Sequence, residues 1–185
     1  MPPLRTLEFA LPDENATARL AAQLAGPVCD RPPEAPPGTP FGPRAGGRIH
    51  LAGELGAGKT SLVRALLRAC GITGRIKSPS YALLESYKIS SLYFYHLDFY
   101  RFSDAREWLD AGFRDIFRED ALVLIEWPER AEGLLPPPDL EISLAYAGDG
   151  RTARLTAYTA RGLTWLTALP PPQAAPPPRP PPGDA

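Results

Sequence analysis

The sequence is short of cysteine, of net charge and of long apolar runs, and each shortage excludes something. Only two cysteines occur, Cys29 and Cys70. They lack metal-ligand spacing, and this usage fits a reducing compartment. Cys70 falls in a helical apolar pattern and reads as a core residue; Cys29 falls in a Pro-rich loop. The formal net charge is −1. Bulk attraction to nucleic acid or to an anionic membrane is therefore excluded, and only local basic patches remain. No uninterrupted apolar run is long enough to span a bilayer. Met1-Pro2-Pro3-Leu4-Arg5 has no signal-peptide apolar region. A cytoplasmic protein without membrane contact is expected.

What the chain has in excess is proline, 24 residues in all. Most lie in two stretches, Pro27 to Pro43 and Pro170 to Pro182. The organisation expected is a single α/β domain over residues 1–169, with a Pro-rich insertion at about 28–47. Residues 170–185 read as a disordered tail. The insertion, Val28 to Gly47, has too few large apolar residues for a core of its own. Proline also removes donors and blocks helix. It reads as a disordered or extended surface segment. No internal repeat is present.

Between these stretches the pattern alternates strand and helix. Leu4 to Leu11 reads as a strand. Pro12-Asp13-Glu14-Asn15 opens a helix over Ala16 to Ala25, which Gly26-Pro27 should end. Arg48 to Ala52 is a strand, and Thr60 to Cys70 a helix with Leu62, Val63, Leu66, Leu67 and Cys70 inside. Tyr81 to Ile89 and Leu92 to Asp98 read as strands joined at Ser90-Ser91. Asp104 and Glu107 resemble a capping box before a helical region reaching about Phe117. Ala121 to Glu126 reads as a strand buried on both faces, followed by a short turn or helix from Glu129 to about Leu134. Asp139 to Ala147 and Arg151 to Thr159 flank Gly148-Asp149-Gly150 as a hairpin. Gly162 to Leu169 suggests a last helix.

The most informative stretch is Gly53-Glu54-Leu55-Gly56-Ala57-Gly58-Lys59-Thr60-Ser61. Gly53, Gly58, Lys59 and Thr60 fit G-x-x-x-x-G-K-[ST], the P-loop or Walker A spacing. A strand precedes the motif and a helix follows it, as it requires. Glycines let successive backbone N–H groups approach phosphate oxygens closely. The helix start directs its positive dipole end to the same place. Lys59 supplies a mobile charge for the outer phosphates, and the Thr60 hydroxyl a hard oxygen ligand for Mg²⁺.

Two further strands end in acids, Asp98 and Glu126. P-loop folds bind ligands beyond the carboxyl ends of their strands. One acid there can support Mg²⁺ and another can orient an attacking water. The chain alone does not say which does which. His96, inside an aromatic strand, reads as a structural hydrogen-bonding residue rather than a base. Arg101 has two readings, a phosphate contact or a partner for a local acid. Trp127 reads either as core or as a lid on the nucleotide.

The blocks GELGAGKTSLVR, KSPSYALLESY, YHLDFYR and LIEWPE, taken in order, resemble the TsaE family, small bacterial P-loop ATPases of tRNA threonylcarbamoyladenosine synthesis. The resemblance covers about Leu4 to Leu169, apart from the proline insertion. It implies a P-loop NTPase-like three-layer sandwich with a mixed central sheet and helices on both faces. It implies hydrolysis of ATP with Mg²⁺ in support of a TsaB–TsaD pair, with tRNA met only through that complex. The family's phosphate loop falls on Gly53 to Ser61, including Leu55, Gly56 and Ala57. Its metal-site threonine falls on Thr60, and its acids on Asp98 and Glu126, with Trp127 beside them. Asp13-Glu14 and Arg151 would border the nucleoside. The family's Ser-Pro-Thr reads Ser78-Pro79-Ser80 here, so Ser80 keeps the hydroxyl expected to sense the γ-phosphate but loses a methyl.

Other functions fit the residues less well. A GTPase needs an Asn-Lys-x-Asp element, yet Asn15 is the only asparagine and precedes the loop. A small-molecule kinase wants an arginine-bearing lid, for which the segment after the P-loop helix is short. A binding module gated by nucleotide, without turnover, stays open.

Overall fold

The computed structural model describes residues 1–32, 35–36, 38–102, 104, 113–117, 120–131 and 133–172. Among the described residues seven strands occur: β1 (Arg5–Leu11), β2 (Gly47–Ala52), β3 (Leu84–Ile89), β4 (Leu92–Asp98), β5 (Ala121–Glu126), β6 (Leu140–Ala147) and β7 (Gly150–Ala157). They form one sheet in the order β1-β7-β6-β2-β5-β4-β3. The central pairs β2–β5, β2–β6 and β4–β5 are parallel, and the outer pairs are antiparallel. The sheet is therefore mixed, as expected. Its two hairpins arise where the connections are too short for a crossover. Ser90 and Gly148 turn them with φ of 52° and 58°.

Three α-helices are described: α1 (Glu14–Val28), α2 (Lys59–Cys70) and α3 (Ala160–Ala168). All three pack into one core on the same face of the sheet, against Ile49, Leu51, Phe94, Leu122 and Leu124. The buried stripe of α2 holds Leu62, Val63, Leu66, Leu67 and Cys70. Burying each such leucine is worth roughly 1.5–3 kcal/mol. Alternate residues of β4 and β5, including Leu97, Val123 and Ile125, face a second cluster with Phe99, Phe102, Ile116 and Ala131. Among the described residues that face carries two 3₁₀ turns, Phe113–Ile116 and Pro128–Ala131. Glu107 of the expected capping box with Asp104, and most of the helical region after it, lie outside the described residues. So does the tail beyond residue 172.

Four sequence expectations need correction. Helix α1 does not end at Gly26-Pro27 but runs through Pro27 to Val28. Pro27 forfeits its own donor and crowds the Gln23 carbonyl one turn earlier, and complete burial of Val28 and Cys29 offsets this and holds the chain there. The ends of the Pro-rich segment are likewise packed rather than loose. Ala45 is buried, Phe41 meets Phe94 edge-on at 5.9 Å, and the Arg44 N–H donates to Asp30. Cys29 belongs to the core rather than to a surface loop. Its thiol and that of Cys70 are both free, and the hydrogen bond between them lowers the pKa of Cys29 and raises that of Cys70. Finally, β3 starts at Leu84, not Tyr81. Leu83, at φ 64°, turns the chain and donates its N–H to the Pro79 carbonyl, leaving Tyr81 86% exposed.

Candidate functional site

Strand β2 leads through Gly53–Gly58 directly into α2. Gly53, Gly56 and Gly58 have φ of 132°, 76° and 101°, in the region that disfavours side chains. At Gly53 a Cβ would also collide with the Leu144 carbonyl of neighbouring β6. Gly58 occupies the N-cap of α2 with no side-chain cap. The first N–H groups of α2 therefore have no intrahelical acceptor and form a donor set at the helix's positive end. Ala57 is buried and anchors the loop, whereas Leu55 is exposed at its crest.

Lys59, at the first turn, is almost wholly buried. Its Nζ donates to the Gly53 carbonyl at 2.6 Å and the Glu54 carbonyl at 2.9 Å. The same ammonium lies 3.8 Å from the Trp127 ring centre, a cation–π geometry. Burial pushes its pKa below the usual lysine value, while Glu126, Glu129 and Asp98 pull it back up.

The parallel register sets Asp98 directly beside Glu126, and Glu126 beside Leu51 of β2. Glu126 thus comes from the strand beside β2, and Asp98 from the strand one further along the sheet. Thr60 donates its hydroxyl to Glu126 Oε2 at 3.0 Å. Asp98 accepts from the Ser80 hydroxyl at 2.9 Å and from the Tyr100 N–H at 3.0 Å. Ser78 pairs with Ser80 at 2.8 Å. His96, completely buried, meets Glu126 Oε1 at 2.8 Å.

Trp127 leaves β5 with φ 59° and donates its N–H to the Leu51 carbonyl. It is both packing and wall. One side joins the second core cluster, and the ring borders a cavity of about 230 Å³ shared with Lys59, Thr60, Ser80, Asp98 and Glu126. The Arg101 guanidinium lies 4.3 Å over the Tyr81 ring.

A larger cavity, about 460 Å³, opens on the other side of the loop. Asp13, Glu14, Thr17, Arg64 and Arg151 line it, and Gly56, Gly58 and Ser61 border both cavities. Asp13 is partly committed as the N-cap of α1, accepting the Ala16 N–H at 2.7 Å. Arg151 reaches the Gly56 carbonyl at 3.4 Å. Sequence reasoning missed Tyr146. Its hydroxyl donates to the Leu55 carbonyl at 2.9 Å, and its ring lies beneath Arg151 at 4.0 Å. No motif marks it, because its role comes only from the neighbouring strand.

A mixed sheet with a glycine loop between strand and helix, and two acid-tipped strands to one side of it, defines an α/β protein of P-loop type. The family model described as threonylcarbamoyl adenosine biosynthesis protein TsaE matches residues 11–154. The chain belongs to the TsaE family. It is 42% identical over 120 residues to the tRNA threonylcarbamoyladenosine biosynthesis protein TsaE of Haemophilus influenzae, covering 65% of this chain and 76% of that one. Identity to the TsaE of Bacillus subtilis is 34% over 119 residues, covering 64% and 73%. The crystal structure of Bacillus subtilis YdiB superposes with a TM-score of 0.66 at 27% identity, covering 88% of this chain and 93% of that one. Among the described residues, no helix is long and apolar enough to cross a membrane.

Proposed function

We propose that the chain binds and hydrolyses ATP with Mg²⁺, in support of threonylcarbamoyl transfer to adenosine in tRNA by a TsaB–TsaD type pair. The family and its relatives are named for that modification, which supports the pathway. The observation that carries the nucleotide reading is the pair of cavities meeting at one loop. The larger, about 460 Å³, falls in the range of small-ligand sites and suits a nucleoside. The smaller, about 230 Å³, carries the lysine, hydroxyls and acids that suit a phosphate chain and an ion. A nucleoside triphosphate would straddle Gly56 and Gly58, its phosphates facing the N-terminus of α2.

The donor set fits magnesium. Thr60 and Glu126 offer hard oxygens already in contact with each other, and Mg²⁺ commonly takes one or two protein oxygens besides phosphate and water. When bound, the ion neutralises charge on the phosphate oxygens. Lys59 would leave its two carbonyls for the outer phosphates. Asp98, held by Ser80 and the Tyr100 N–H, would orient a water at the chain's far end. Tyr146 and Arg151 would brace the loop from β6 and β7. TsaB–TsaD binding and a cytoplasmic setting are part of the same proposal.

Single-turnover hydrolysis of radiolabelled ATP, with and without the partner pair, tests this reading. Turnover that the pair alters is expected. Binding without any turnover would leave a nucleotide-gated module. Absence of ATP binding in both conditions would overturn the nucleotide reading altogether.

A further inference from the structure

Glu126 is 2% exposed and His96 0% exposed. Each lone pair of a carboxylate removed this far from water needs a donor. Glu126 divides its two oxygens between two donors on different elements. Oε2 takes the Thr60 hydroxyl of α2, and Oε1 faces His96 Nε2 of β4. An ionised carboxylate only accepts, so Nε2 carries the hydrogen. His96 Nδ1 is buried without a hydrogen-bond partner among the described residues. Among the described residues, Glu126 alone holds the ring as the Nε2–H tautomer.

We infer that His96 is a positioning residue for the ion-binding half of the site. It pins one oxygen of Glu126, so that the other faces Thr60 and the smaller cavity. Without that N–H the carboxylate can rotate about its terminal torsion, which has broad preferences, and the Thr60–Glu126 pair loses its fixed aim. His96 touches neither substrate nor ion; it acts through Glu126. This rests on the reading of Thr60 and Glu126 as magnesium ligands. Partners that orient a metal's ligands typically contribute about tenfold to a hundredfold in metal affinity.

The test compares His96→Leu, which removes the donor, with His96→Gln, whose amide N–H reaches close to the Nε2 position. Calorimetry of the full chain measures ATP affinity in EDTA and across a magnesium series, with circular dichroism as the check on folding. His96→Leu should keep the wild-type affinity for metal-free ATP but need roughly tenfold to a hundredfold more magnesium for the same gain. His96→Gln should recover most of that difference. If His96→Leu does not fold, His96→Asn takes its place, being polar but too short to reach Glu126. A wild-type magnesium dependence in the donor-lacking variant overturns the inference, as does a glutamine variant no better than it. Wild-type protein that binds ATP with no magnesium dependence overturns the ligand assignment beneath it, a distinguishable failure.

Discussion

The Lys59 ammonium rests 3.8 Å from the centre of the Trp127 ring while donating to the Gly53 and Glu54 carbonyls. A buried lysine needs such partners, because an uncompensated charge away from water is costly. The loop's own carbonyls and the Trp127 ring hold the charge at the loop, and in the proposed function a phosphate draws it away.

Replacing Lys59 by alanine should therefore weaken ATP binding without unfolding the chain. A charged hydrogen bond is worth about 1.5–3 kcal/mol, or roughly tenfold to a hundredfold in affinity. Calorimetry measures the loss. Trp127 emission, taken as the difference between wild type and Trp127→Phe, should change when ATP draws the ammonium away, and should stay constant in Lys59→Ala. Equal ATP affinity in the two proteins would remove Lys59 from the site.

Tyr146→Phe tests the brace on the loop. It deletes the hydroxyl bond to Leu55 and keeps the ring beneath Arg151. Tyr146 is 49% exposed, so the loss in global stability should be small, about 0.5–1 kcal/mol. The local effect should be larger. Amide exchange across Leu55 to Gly58 should speed up and ATP affinity should drop severalfold. Unchanged exchange in that loop would show that Leu144 and the glycines hold it unaided.

His50 should make stability depend on pH. Burial is the main reason its pKa falls from 6.5 to about 4; nearby Arg48 adds to the fall and Asp139 opposes it. Between those values the unfolded chain binds a proton that the folded chain refuses. The contribution is full above pH 6.5 and is lost as pH falls towards 4. A shift of that size corresponds to a loss on the order of 3 kcal/mol. Urea melts from pH 7 downward should show a steeper fall for wild type than for His50→Gln. Parallel curves would assign the acid sensitivity to other groups.

The loop was legible because all its chemistry is local. Five residues separate Gly53 from Lys59, and the flanking apolar patterns name the strand and the helix. The acids were legible as strand ends, though not their division of labour. Sequence patterning failed where packing overrode a local signal. Pro27 reads as a helix stop, yet burial of Val28 and Cys29 carries α1 past it. Tyr81 reads as strand, yet the turn at Leu83 leaves it in solvent.

The amino-acid sequence by itself determined the phosphate-loop spacing, the alternation of strands and helices, and which strands end in carboxylates, since each is set by residues a few positions apart. The tertiary structure alone decided that Asp98 stands beside Glu126, that His96 and Thr60 divide the two oxygens of that glutamate, and that Tyr146 reaches Leu55. Those contacts depend on strand order and register. A one-residue slip in a strand turns each side chain to the opposite face, so long-range pairing, not local spacing, places them.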